Sequence, residues 1–143
     1  DDGSEEGGKD GMDCSLLCFD FSNNTLDYSC AYNPIVIIRN NAIIELTTDR
    51  MPVGKSPKEH IPFATNSFTL EQGDTLYALT DGYADQFGGA SGKKLKYKNL
   101  KQFLLNYSAE DVIKQEKIIS QEFSNWKGKL EQIDDVTIVG IKI

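Results

Sequence analysis

Two short acidic motifs hold the residue types best suited to chemistry in this chain. One is Thr80-Asp81-Gly82, directly after the largely apolar run TLYAL; the other is Asp134-Asp135, directly before the apolar run that ends the sequence. Carboxylates at the ends of neighbouring strands can converge. Two converging carboxylates suit a hard divalent cation such as magnesium or manganese, which takes oxygen ligands and keeps several waters. Spacing alone leaves a plainer reading open, because Asp-Gly after a strand also makes an ordinary turn and adjacent aspartates also cap loops.

Other catalytic arrangements find less support. The single histidine, His60, lies in a proline-rich stretch with no partner nearby in sequence, and there is no glycine-flanked nucleophile elbow, so Ser-His-Asp and Cys-His chemistry are disfavoured. The segment FGGASGKK lacks both the spacing of a phosphate-cradling loop and the strand that should precede it. Cys14, Cys18 and Cys30 are odd in number and not spaced as C-x-x-C. They read as small buried hydrophobes in a reducing, cytoplasmic setting, not as zinc ligands or disulfides.

The composition is that of one soluble globular domain: 143 residues, 39% hydrophobic and 26% charged. The formal charge of -7 is concentrated in residues 1–13, where six acids oppose Lys9. An acidic balance argues against nucleic acid as a partner, since that binding is driven by Lys and Arg displacing counterions. The basic cluster Lys93, Lys94, Lys96, Lys98 and Lys101 reads as a solvated face, with docking of a phosphorylated or acidic partner as the functional alternative. No apolar run approaches the roughly 20 residues of a membrane-spanning helix, so no direct membrane contact is expected.

The elements that must position the acids follow from hydrophobic period. Residues 1–11, glycine-rich and acidic, have no apolar side chain to bury and are expected to be a disordered tail or surface loop. Met12, Cys14, Leu16 and Cys18 alternate with polar neighbours, as do Leu26, Tyr28, Cys30 and Tyr32, predicting a hairpin about the turn Ser22 to Asn24. Ile35 to Arg39 and Ala42 to Leu46 form a second pair across Asn40-Asn41. Residues 47–62, with three prolines, read as loop. Strands follow at Phe63 to Leu70 and Thr75 to Thr80, and the chain ends in a strand from Val136 to Ile143. Leu100, Phe103, Leu104 and Tyr107 recur at helical spacing; Ser108 to Asp111 fits a capping box for a second helix striped by Val112, Ile119, Phe123, Trp126 and Leu130. No linker divides the chain, so 12–143 reads as one unit.

Taken together these segments resemble the phosphatase domain of the SpoIIE and RsbU type, a bacterial branch of the type 2C metal-dependent protein phosphatases. The likeness runs in order from Lys9 to Ile143. KDGMDCSLLCFDF is similar to the strand after the family's variable loop, CAYNPIVIIRNN to its AGHNPPLLLR stretch, RMPVG to its PLG turn, GDTLYALTDGYADQFGG to its TDG segment and IDDVTIVGIKI to its terminal DDxT strand. Tyr32 stands where many relatives carry histidine, read here as a packing variation.

The resemblance implies an α+β fold: an antiparallel β-sandwich flanked by helices, holding two manganese or magnesium ions with which water hydrolyses phosphoserine or phosphothreonine in a protein substrate. By motif, Asp81 and Asp134 would be catalytic metal ligands, with Gly82 and Asp135 in support. The family's bridging aspartate and a further Asp-Gly motif lie upstream of anything matched here. The chain is therefore expected to be the C-terminal part of the domain, lacking the N-terminal strands and inactive alone, with a sensor or regulatory domain upstream in the parent. A non-catalytic phosphoprotein-binding module is the alternative. A sheet lacking its early strands would expose edges and an apolar face, so a homodimer is expected as well.

Overall fold

The computed structural model describes residues 10–143. In chain order the strands are β1 (Gly11–Met12), β2 (Cys14–Asp20), β3 (Thr25–Ala31), β4 (Ile35–Arg39), β5 (Ala42–Glu45), β6 (Val53–Gly54), β7 (Asn66–Thr69), β8 (Thr75–Leu79), β9 (Phe87–Gly88), β10 (Lys93–Lys94) and β11 (Ile138–Lys142). The helices are α1 (Gly82–Asp85), α2 (Tyr97–Tyr107) and α3 (Val112–Lys127).

Two antiparallel sheets form a sandwich, one ordered β11-β8-β4-β5 and the other β2-β3-β7. The β4–β5 hairpin turns on Asn40 and Asn41, at φ 48° and 58°; asparagine tolerates this left-handed backbone, and it matches the twist of the flanking strands. Between the sheets, Ile35, Ile37 and Leu76 pack against Leu26, Tyr28 and Cys30. The alternate residues Val36, Ile38, Tyr77 and Leu79 point the other way, onto Leu100 and Leu104 of α2. Because both faces of β4 and β8 are covered, their sequences read as unbroken apolar runs and not as alternation.

Polar ties fix the margins. Arg39 donates to both carboxylate oxygens of Asp74, at 2.8 and 2.7 Å, and Asp74 is 1% exposed. Burial pushes the Asp74 carboxyl up, but the Arg39 guanidinium and the Glu71 N–H outweigh it and hold the group below its ordinary value. The Tyr77 hydroxyl donates to Gln115 of α3 at 2.6 Å. Trp126 seats the other end of α3: its indole N–H donates to the Gln86 carbonyl at 2.8 Å, and a Cβ at Gly88 would run into the Trp126 backbone.

Several expectations need correction. The apolar side of β2 that the alternation singles out faces outward: Leu17 and Phe19 pack on the core, whereas Leu16 is 69% exposed. The cause is register, for Leu17 lies opposite Tyr28 and Phe19 opposite Leu26, which bury their side chains. Cys30 is buried, but Cys14 is only half-buried and Cys18 is exposed. No Ser108 capping box forms. Ser108 closes α2, its hydroxyl donating to the Leu105 carbonyl, and Asp111 caps α3 by accepting from the Lys114 N–H at 3.0 Å. The helix ends at Lys127, leaving Leu130 outside and exposed. Tyr32 is no packing residue: it is 47% exposed, at φ 59°. The strand expected from Phe63 shortens to β7, and the loop 47–62 contains β6, paired with β1. Of the acidic stretch 1–11, residues 1–9 lie outside those described, and Gly11 is in β1.

Candidate functional site

The site is built where β8 ends and β11 begins. These strands are antiparallel with Leu79 opposite Ile138, so the chain leaving β8 runs beside the chain entering β11. Beyond the last strand pair two further bonds hold them: the Thr80 N–H donates to the Thr137 carbonyl at 3.0 Å, and the Thr137 N–H donates to Thr80 Oγ1 at 3.0 Å. Asp81 emerges one residue later, against Asp134-Asp135. Side-chain bulk would spoil this approach, because a Cβ at Gly82 would collide with the Asp135 carbonyl.

Asp81 is the N-cap residue of α1, and its backbone carbonyl accepts from the Asp85 N–H at 2.9 Å, but its carboxylate makes no capping hydrogen bond. Asp134 sits in a turn ordered by its own surroundings, Oδ1 accepting from the Asp135 N–H at 2.8 Å and its carbonyl from Gln132 Nε2 at 2.9 Å. Partial desolvation pushes the Asp81 carboxyl above its ordinary value, and the negative charges of Asp134, Asp85 and Asp13 push it the same way. Desolvation and neighbouring like charges both disfavour a carboxylate, and here they outweigh the backbone hydrogen bond that opposes them.

The structure thus brings Asp81 and Asp134 to one end of the sandwich, with Gly82 at the crossing point. Asp135 is placed there through its backbone, its carbonyl accepting from Thr80 Oγ1 at 3.4 Å. Sequence reasoning missed Asp13 and Asp85. Asp85 follows Asp81 by one helical turn, a signal available had the four residues of α1 been read as helix. Asp13 follows β1, whose pairing with β6 is long-range and leaves no local mark.

Among the described residues no group of three or more His, Cys, Asp or Glu side chains is arranged to hold a metal ion. A cation held by Asp81 and Asp134 would therefore need further ligands. Two oxygen donors in negative potential match the carboxylate share of a magnesium or manganese site, whose remaining positions are filled by water or other groups. The lysine cluster from Lys93 to Lys101 is partly neutralised: Lys94 pairs with Asp85 at 3.2 Å and Lys101 with Glu45 at 2.7 Å. A cavity of about 380 Å³ between α3 and the β8–β11 edge, lined by Tyr77, Gln115, Ile138 and Gly140, does not include either aspartate.

Comparison with known proteins bears on the family and the fold. The family model described as Stage II sporulation protein E (SpoIIE) matches residues 3–143. Among solved structures, the SiaA-PP2C domain of Pseudomonas aeruginosa superposes with a TM-score of 0.84 at 22% identity, over 92% of this chain and 51% of that one. The phosphatase domain of the cell fate determinant SpoIIE from Bacillus subtilis gives 0.68 at 16% identity, over 92% and 58%. The catalytic domain of the serine threonine protein phosphatase PstP, in complex with 2 manganese ions, gives 0.60 at 15%, over 91% and 57%. The chain thus spans about half the length of these structures. A search of curated proteins returned no match.

Proposed function

The chain belongs to the Stage II sporulation protein E (SpoIIE) family, and from that premise we propose that it supplies Asp81 and Asp134 to the metal centre of a protein serine/threonine phosphatase. The observation that carries this reading is the convergence of the two aspartates at the clamped ends of β8 and β11, where the charge of Asp134 acts on Asp81. Two manganese or magnesium ions, when bound, would supply charge neutralisation of phosphoryl oxygens and activation of water.

The chain's own residues have distinct tasks. Asp81 and Asp134 would hold the cation through carboxylate oxygen. The Thr80–Thr137 bonds keep their separation fixed, which matters because a site loosened by about 1 Å loses much of its catalytic power. Gly82 permits the close approach of the two chain segments, and Asp135 serves through its carbonyl. Asp85 adds negative potential without facing the same demand, since Lys94 pairs with it. The substrate class is a protein bearing phosphoserine or phosphothreonine, and the remaining ligands, with any sensor or regulatory domain, belong to a longer polypeptide. A cytoplasmic setting fits this role. No helix of the described residues is long and apolar enough to cross a membrane.

The test is an assay of the full-length gene product carrying this chain toward a phosphoserine protein with manganese. Asp81→Asn is expected to lower kcat by at least a hundredfold. Full activity in that variant would defeat the proposal.

A further inference from the structure

The loop that follows β5 carries a second feature, which the metal chemistry does not use. Tyr32 and residues of the 50–58 loop line a groove of about 270 Å³. Its floor is apolar, with Met51 buried, and its rim carries Arg50, Lys55 and Lys58, all exposed. No acid is among the lining residues, in a chain whose formal charge is -7.

The groove is preformed and anchored. Tyr32, at φ 59°, holds one wall, and its N–H donates to the Asp49 carbonyl at 3.0 Å. Of the acids next to the rim in sequence, Asp49 accepts from the Ala64 N–H at 2.9 Å through Oδ2, and neither it nor Glu59 forms an ion pair with a rim cation among the described residues. Lys58 Nζ donates to the Arg50 carbonyl at 3.2 Å, which ties the Lys58 ammonium to the backbone on the far side of the loop. The three are without side-chain ion pairs among the described residues, unlike Lys94 and Lys101.

Position ties the groove to the acidic site. β6 lies within the 50–58 loop and pairs Val53 with Met12 and Gly54 with Gly11, and Asp13 comes next in the chain. Asp13 is one of the acids whose charge reaches Asp81. The groove-forming loop and the chain entering Asp13 are thus joined by one strand pair. Unpaired cations around an apolar floor suit a peptide whose acidic residues flank the phosphorylated side chain, with charge steering it and the floor burying its apolar atoms.

We propose that the Tyr32–Arg50–Lys55–Lys58 groove is the docking surface for an acidic, phosphoserine-bearing segment of the protein substrate. This rests on the phosphatase reading for the fate of the bound segment, but not for its capture.

The experiment uses the intact chain in EDTA, so that no metal is needed, and a fluorescein-labelled peptide carrying one phosphoserine flanked by glutamates. Fluorescence anisotropy is expected to show binding that Lys55→Glu weakens by about tenfold or more and Lys55→Glu/Lys58→Glu abolishes, while Lys93→Glu/Lys98→Glu changes it less than twofold. Lys55 makes no side-chain bond that folding needs, and circular dichroism confirms each variant's fold. Absence of binding, indifference to Lys55→Glu, or an equal loss in the Lys93/Lys98 variant would overturn the proposal. So would binding that appears only after residues 1–9 are deleted, for the groove's occupant would then be this chain's own acidic stretch. Intact docking beside failed metal binding would instead sink the phosphatase reading and leave the groove's role standing.

Discussion

Thr80 and Thr137 bond reciprocally, each receiving a backbone N–H at 3.0 Å, one through its carbonyl and the other through its hydroxyl. This pair extends the β8–β11 ladder by one residue at the point where strand pairing gives way to the acidic loop. Its consequence is mechanical. Asp81 and Asp134 repel each other, and without the clamp the two chain ends would relieve that repulsion by separating.

Removing one of the repelling charges should therefore stabilise the metal-free chain. An acid whose folded carboxyl is held above its ordinary value is disfavoured in its charged form by folding, so its ionisation costs stability as pH rises through that region. Asp81→Asn is expected to raise the melting temperature by about 1–3 °C at pH 7 in EDTA, with the gain vanishing below about pH 4. Scanning calorimetry at the two pH values checks this; a lower melting temperature at pH 7 would mean that the carboxylate is stabilised by a partner.

Asp74 has the opposite sign. Its carboxyl is held down by Arg39, so the stability it confers is present above about pH 4, its ordinary range, and is lost as pH falls through the depressed value. Asp74→Ala leaves the half-buried Arg39 guanidinium without its bidentate partner and should cost about 3–5 kcal/mol, enough to threaten folding. Urea denaturation at pH 7 measures it. A loss under 1 kcal/mol would show that Glu71 and the Thr69 carbonyl suffice to hold Arg39.

Gly82→Ala is the cleanest probe of close approach. The added methyl meets the Asp135 carbonyl, a backbone atom that cannot turn aside, so the Asp134-Asp135 loop must move. A destabilisation of about 1–3 kcal/mol is expected by urea denaturation, together with weakened manganese binding. An alanine variant that keeps both stability and metal affinity would place the two loops farther apart than described.

The outward face of β2 bears Leu16, 69% exposed, and Phe21 beyond the strand is 66% exposed. Apolar side chains on an edge strand favour self-association. Sedimentation velocity on the 143-residue chain should show dimers that dissociate on dilution, and Leu16→Lys should weaken them by about tenfold, the worth of burying one such side chain. A monomer at all concentrations, before and after substitution, would contradict this.

The sandwich was legible where one cause dominated. Unbroken apolar runs at Ile35–Ile38 and Thr75–Leu79 marked strands covered on both faces, and Asn40-Asn41 marked the hairpin. It was not legible where partners decide. In β2 both alternate faces carry apolar residues, and only the register with β3 selects Leu17 and Phe19 for burial. Ser108 and Asp111 are both good caps, and the choice fell to the one standing at the start of α3. At the site, the strand-end positions of Asp81 and Asp134 left an ordinary turn open, and only the family resemblance singled these two residues out. Asp13 was not legible, because it is carried there by a pairing between two-residue strands some forty residues apart.

Manganese titrated into the isotope-labelled chain, followed by paramagnetic broadening of its amide signals, tests the central claim without requiring turnover. The expected result is selective loss of the signals around Asp81 and Asp134 together, at substoichiometric ion, with both effects abolished by Asp81→Asn. Broadening confined to one of the two loops, or spread evenly over the acidic surface, would contradict a shared site.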